Sequence, residues 1–255
     1  MAAAIKASEM RQAPMSAQEW QVRTDLAACY RLIAHFGLTD TIYTHISARV
    51  PGGDDAFLVS AFGLHYEEVT ASNLVKVAQD GAVIADKTGL GINPSGFVIH
   101  GAIHGARADA HCVLHTHSPA GMAVSAQEAG LLPISMHAAT LHHDVAYHDY
   151  EGISVHLDER ARIVANLGAH NVLIFRNHGL LTIGRTVGDA LRLMLSLERA
   201  CQVQLMAMAG GAPLRLIAPE ALAATEATIR GGIGTDRDWA SMLRLADRVA
   251  PDFRD

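Results

Sequence analysis

Cys112-Val113-Leu114-His115-Thr116-His117-Ser118 and Leu173-Ile174-Phe175-Arg176-Asn177-His178-Gly179 are the two stretches from which the rest of the chain is read. Each opens with an apolar run of strand length and ends where polar turn residues begin. Side chains two apart in a strand share a face, so His115 and His117 are predicted to project side by side. His178 is predicted to arrive at the end of a second strand, where Gly179 lets the backbone turn closely past a site. Three neutral imidazoles with one position left open form a catalytic rather than a structural metal pattern. A chain with 15 histidines also produces pairs spaced by two without any metal. The surroundings of these residues therefore decide the reading.

The chain has 255 residues, enough for one large domain. Half of them are hydrophobic and 18% charged, which suits a compact soluble protein. The formal charge of −6, with no cluster of Lys or Arg, argues against a nucleic-acid surface. Cys29, Cys112 and Cys201 are odd in number, far apart and set in apolar contexts, so they read as reduced core thiols. Residues 1–15 carry scattered charges and no apolar core of signal-peptide length; they are expected to form a flexible leader. No apolar run approaches a membrane span, and a cytoplasmic location is the expectation.

Working outward, Ser16 is placed to cap a helix over 17–36, which Gly37 stops. Strands are expected at Thr41–Val50 and Ala56–Ser60, joined by the turn Pro51-Gly52-Gly53-Asp54. A short helix is expected over Glu67–Lys76 and a strand over Ala82–Ala85. Further helices fall at 96–107, 119–128, 158–167 and 187–209, with strands at 171–176 and 180–183 and a helical remainder. Helices and strands alternate, yet several strands come in hairpin-like pairs. That combination predicts an α/β fold: a single three-layer αβα domain over 16–255, with a mixed central sheet covered by helices.

In chain order, His45-Ile46-Ser47-Ala48-Arg49, Phe62-Gly63-Leu64, Asn93-Pro94-Ser95-Gly96, the helix carrying His100, His115-Thr116-His117, Tyr147-His148-Asp149-Tyr150-Glu151-Gly152 and Asn177-His178-Gly179 resemble the class II aldolase/adducin family. The resemblance implies a class II aldolase-like fold. It also implies one divalent metal ion per chain, Mn²⁺ or Zn²⁺, held by His115, His117 and His178. One branch of the family uses Fe²⁺ for oxygen chemistry. Adducin-like members that only bind proteins tend to lose the three histidines, so their retention favours an enzyme. Relatives usually assemble as fourfold homotetramers with sites between subunits.

Departures from the family pattern carry as much information. The glutamate that serves sugar-phosphate aldolases as acid/base falls at Gly96, which has no side chain. Their phosphate-binding Gly-Asn-x-Ser becomes Thr44-His45-Ile46-Ser47, and their Ser-Gly turn becomes Phe62-Gly63. Phosphate recognition by backbone N–H groups and small hydroxyls loses its basis. The resulting expectation is a metal-dependent carbon–carbon lyase. Decarboxylation of a hydroxylated aromatic or heteroaromatic carboxylate is placed ahead of aldol cleavage of a non-phosphorylated hydroxy acid or sugar, since decarboxylation needs mainly an electron sink. A reading of another class is an adducin-like interaction module with a vestigial site.

His45 is expected to serve the substrate, as a donor to its carboxylate and as a proton carrier. Ser95, Gly96 and Arg49 are expected beside the small-molecule carboxylate, although a strand-end ion pair is the plainer role for Arg49. His100 and His104 lie one helical turn apart and are expected to pack behind the site. His137, His142, His143 and His148 crowd one segment, three of them expected at the surface. Tyr147 and Tyr150 are expected to pack, and Cys112 to be core.

Overall fold

The protein is described here by a computed structural model covering residues 15–52, 55–154, 156–230 and 236–255. The expected leader, apart from Met15, and the Gly53-Asp54 half of the first turn lie outside the described residues. Helix α1 (Ala17–His35) starts where the Ser16 hydroxyl accepts the Glu19 N–H at 3.0 Å. It ends at Gly37, whose φ of +68° a side chain would oppose. Strand β1 (His45–Arg49) is shorter than expected because Thr41 sits at φ +46°, outside the extended region. Strand β2 (Ala56–Val59) follows.

The helix expected over Glu67–Lys76 is the main error of the sequence reading. Only a single 3-10 turn forms, at Tyr66–Glu68, and Lys76 instead lies in β3 (Val75–Ala78), paired opposite Leu58. The buried alternation of Val75 and Val77 supplies the strand period that the helical expectation overlooked. Strand β4 is Val83–Ala85. Helix α2 (Pro94–Ala106) opens with Asn93 as cap and Pro94 in the first position, where its missing N–H costs nothing.

Next come β5 (Cys112–Thr116), α3 (Pro119–Ser125), the unanticipated α4 (Met136–Leu141), β6 (Val145–His148), α5 (Glu159–Leu167), β7 (Val172–Phe175) and β8 (Gly179–Gly184). Helix α6 (Val187–Ala209) has its expected bounds, and α7 (Pro219–Arg230) and α8 (Asp236–Val249) make the remainder helical.

The strands join in one sheet of order β4-β3-β2-β1-β5-β8-β7-β6, parallel only between β6 and β7. Its two faces are separately covered. Ile46, Leu58, Leu114, Ile174 and Leu180 pack under α1 and α6 through Leu26, Ile33, Leu191 and Met194. Val113, Leu173, Phe175, Leu181 and Ile183 pack against Ile99 and Ile103 of α2 and Ile163 and Leu167 of α5. Burying each such side chain stabilises the fold by roughly 1.5–3 kcal/mol, and burial from both sides explains why β5 and β7 read as unbroken apolar runs. The expected α/β three-layer architecture is the observed one. No helix among the described residues is long and apolar enough to cross a membrane.

Tyr30 of α1 fixes the inner end of β1. Its hydroxyl accepts the N–H groups of Ile46 (2.8 Å) and Ser60 (3.1 Å) and donates to the Ile46 carbonyl. Residue 45, next along the strand, is thereby held in place.

Candidate metal centre

Strand alternation sends His45, Ser47 and Arg49 of β1 to the α2 face, together with Val113 and His115 of β5. In the antiparallel ladder His45 lies directly opposite His115, with ring centroids 5.3 Å apart. His117 stands one residue past the end of β5. His178 lies in the tight β7–β8 connection, where Asn177 takes φ +57°. A Cβ on Gly179 would collide with the Thr116 carbonyl and come within 3.1 Å of the His117 ring. Glycine there allows the close passage expected from the sequence.

These three histidines meet. His115 Nε2 and His117 Nε2 are 2.9 Å apart, and His117 Nε2 and His178 Nε2 are 3.0 Å apart. Behind them, His115 Nδ1 is 2.9 Å from the Leu180 carbonyl and His117 Nδ1 is 2.9 Å from Asp40 Oδ2. A carbonyl or a carboxylate can only accept, so each Nδ1 carries the hydrogen. Burial, reinforced by the neighbouring imidazoles, pushes the pKa of His115 well below its ordinary value. Burial also lowers His178 to about 4, with the charges of His117 and His148 adding to the effect. With the hydrogen on Nδ1 of each ring, the Nε2 lone pairs of His115 and His117 are free to face each other with no hydrogen between them. A divalent metal ion fits this set through imidazole nitrogens with acceptors behind.

His45 is 3% exposed, and burial, ahead of the charges of His117 and His178, lowers its pKa to about 3. That burial disfavours a protonated His45, one of the two forms in which it could donate to a carboxylate. Its Nδ1 lies 2.8 Å from His100 Nε2. On the other side, a Cβ added to Gly96 would be 2.7 Å from His45 Cδ2 and 3.1 Å from Nε2. The imidazole fills the space into which a side chain at 96 would project. A small cavity of about 10 Å³ beside it is walled by Phe57, Phe62 and Phe97, with Thr44, Ser60, Asn93 and His100 as polar groups and no Lys or Arg among its described lining residues.

Ser95 lies beside Gly96 in the first turn of α2, its N–H held by Asn93 Oδ1 at 3.1 Å. Arg49 is not brought to the site. It stands at the far end of β1, four residues and about 13 Å from His45 at ~3.3 Å per residue, with its guanidinium on the carbonyls of His104 and Arg107. Its role is to tie β1 to the end of α2. Sequence reasoning missed Asp40, which lies 77 positions before His117 and carries no local motif. Of the four crowded histidines, three of which were expected at the surface, the buried one is His148, which packs on Phe175 while Phe175 touches both His115 and His178.

The chain matches the family described as Class II Aldolase and Adducin N-terminal domain over residues 24–205. The crystal structure of an aldolase II superfamily protein from Pseudomonas syringae superposes with a TM-score of 0.91 at 52% identity, covering 94% of this chain and 98% of that one. L-fuculose 1-phosphate aldolase from Glaciozyma antarctica superposes with a TM-score of 0.83 at 28% identity, covering 96% and 97%. Alpha-adducin of Mus musculus is 49% identical over 194 residues, which are 74% of this chain but 26% of the adducin. The protein belongs to the class II aldolase and adducin family.

Proposed function

We propose that the protein is a metal-dependent carbon–carbon lyase acting on a small, hydroxylated, non-phosphorylated acid. The convergence of three Nε2 atoms, two of them backed by acceptors that leave their lone pairs bare, carries this reading. A divalent ion held by His115, His117 and His178, taken as Mn²⁺ or Zn²⁺ with Fe²⁺ the third option, supplies Lewis acidity toward chelating substrate oxygens. Asp40 and the Leu180 carbonyl orient two of the ligands. The adjoining cavity between Phe57, Phe62 and Phe97 is too small for a phosphate and offers it no cationic side chain among its described lining residues.

Gly96 by itself pointed toward decarboxylation, because the usual carboxylate base is missing. The His45 imidazole, standing where that side chain would reach, supports aldehyde release over CO₂ release. A homotetramer with sites between subunits belongs to the same reading as a family expectation, and a cytoplasmic location as an expectation from composition. The deciding experiment supplies the protein with Mn²⁺, Zn²⁺ or Fe²⁺ and screens free hydroxy acids and hydroxylated aromatic carboxylates. Aldehyde release supports aldol cleavage, and CO₂ release supports the carboxy-lyase.

A second reading has its own observation. Identity of 49% to alpha-adducin over 194 residues supports an interaction module of the adducin kind. Metal content after purification without chelators separates the two: a stoichiometric ion supports the lyase, and a metal-indifferent fold supports the module.

A further inference from the structure

His100 and His104 project from α2 toward β1, and both are 2% exposed. With Ser47 and His45 they form one hydrogen-bonded file. His104 Nδ1 lies 2.9 Å from the Ala110 carbonyl. His104 Nε2 lies 2.7 Å from Ser47 Oγ, which lies 2.6 Å from His100 Nδ1. His100 Nε2 lies 2.8 Å from His45 Nδ1.

The file has a direction because it starts at a group that can only accept. The Ala110 carbonyl requires a hydrogen on His104 Nδ1. Burial holds all three imidazoles neutral: each is 3% exposed or less, with His104 lowered to about 3 and His100 well below its ordinary value. The Arg49 guanidinium near His104 opposes protonation there further. None of the three has a carboxylate partner among the described residues. His104 Nε2 is then bare and must accept the Ser47 O–H. That hydroxyl has one hydrogen, so Ser47 Oγ must accept from His100 Nδ1–H. His100 Nε2 is bare in turn and accepts from His45 Nδ1–H. Every link is satisfied in only one polarity, and leaving a buried link unmade costs about 1–3 kcal/mol.

We propose that this file, anchored on the Ala110 carbonyl, locks His45 in its Nδ1–H tautomer and presents a bare Nε2 on the side of the ring facing Gly96. Ser47, His100 and His104 are positioning residues, and the group received at Nε2 is a hydroxyl with a hydrogen to give. A carboxylate or phosphate would set its own lone pairs against that nitrogen. The tautomer claim stands alone, whereas the hydroxyl claim rests on the lyase reading. In that reading Nε2 takes the proton of a hydroxyl β to a carboxylate, and the anion forming beside the ring supplies the counter-charge that offsets the burial of His45. The O–H electron pair becomes the second bond of a new carbonyl, the adjacent carbon–carbon bond breaks, and its electron pair stays on the carbon next to the carboxylate. That carbon then recovers the proton from Nε2–H, so no oxidant or reductant is consumed.

The test is ¹⁵N NMR of histidine-labelled full-length protein supplied with Zn²⁺. Pyridine-type signals for Nε2 and pyrrole-type signals for Nδ1 are expected at His45, His100 and His104. A pyrrole-type Nε2 at His45 would overturn the proposal. In Ser47→Ala the file is cut, and His45 and His100 should move to intermediate shifts that report mixed tautomers, with metal stoichiometry as in the parent. An unchanged His45 tautomer in Ser47→Ala would also overturn it. Should that variant not fold, the parent spectrum still decides. Metal stoichiometry of the parent, measured separately, tests the lyase reading without touching the tautomer result.

Discussion

A Cβ on Gly96 would lie 2.7 Å from Cδ2 of His45, so the two positions exclude each other: residue 96 can have a side chain or residue 45 can have this imidazole. The empty position in α2 and the added ring in β1 are two halves of one exchange. Gly96→Ala tests it. Alanine improves the intrinsic helix propensity by up to about 1 kcal/mol, but overpacking costs ~1–3 kcal/mol, so net destabilisation is expected. Displacement of His45 should lower kcat by about 10²–10⁴-fold, the range of a lost acid–base group, with metal retained. Parent-like kcat in Gly96→Ala would show that His45 takes no part in turnover.

Metal binding should depend on the group behind a ligand as well as on the ligands. His178→Ala should lose the ion, since two imidazoles remain. Asp40→Asn leaves His117 in place but removes the charge that accepts its Nδ1–H. Loss of such an outer partner typically lowers metal affinity ~10–100-fold. Titration with Zn²⁺ under competition from a chelator measures both. Full occupancy in His178→Ala would refute the three-histidine assignment.

Acid should destabilise the metal-free protein earlier than its carboxylates alone would allow. His104 is lowered from 6.5 to about 3 by burial, with the Arg49 charge as the next cause. Below pH 6.5 the unfolded chain binds a proton at this residue that the folded chain does not. Its contribution is therefore complete above 6.5 and is lost progressively as pH falls toward 3. The slope is at most ~1.4 kcal/mol per pH unit for each such histidine. Urea unfolding at pH 7.5, 6.5 and 5.5 reads it, and His104→Asn should flatten the dependence. Equal stability at 7.5 and 5.5 would contradict the neutral file.

Sugar phosphates should be poor substrates. The pocket beside His45 is lined by Phe57, Phe62 and Phe97 and holds no cationic side chain, although L-fuculose 1-phosphate aldolase shares the fold at 28% identity. Fuculose-, rhamnulose- and ribulose-type phosphates are the substrates to assay. Turnover in the ordinary range of roughly 1–10³ s⁻¹ on any of them would reverse this expectation.

Much of the architecture was legible before any coordinates, because period and punctuation are local. The capped α1, the buried strands β5 and β7 and the full length of α6 follow from residues within a few positions of one another. Glu67–Lys76 was misread because the pairing of Val75 and Val77 with β2, a partner outside that window, decides its state. The convergence of His115, His117 and His178 was legible as well, since two share a strand alternation and the third ends an apolar run beside a glycine. What only the tertiary structure decided is the polarity of the site. Asp40 behind His117, Ser47 between His100 and His104, and the Ala110 carbonyl at the head of the file are joined by chain crossings of up to 77 residues. Hydrogen-bond direction depends on which acceptor each donor meets in a buried space. Residue order determines which imidazoles exist and which face they take, and packing determines which of their nitrogens is bare.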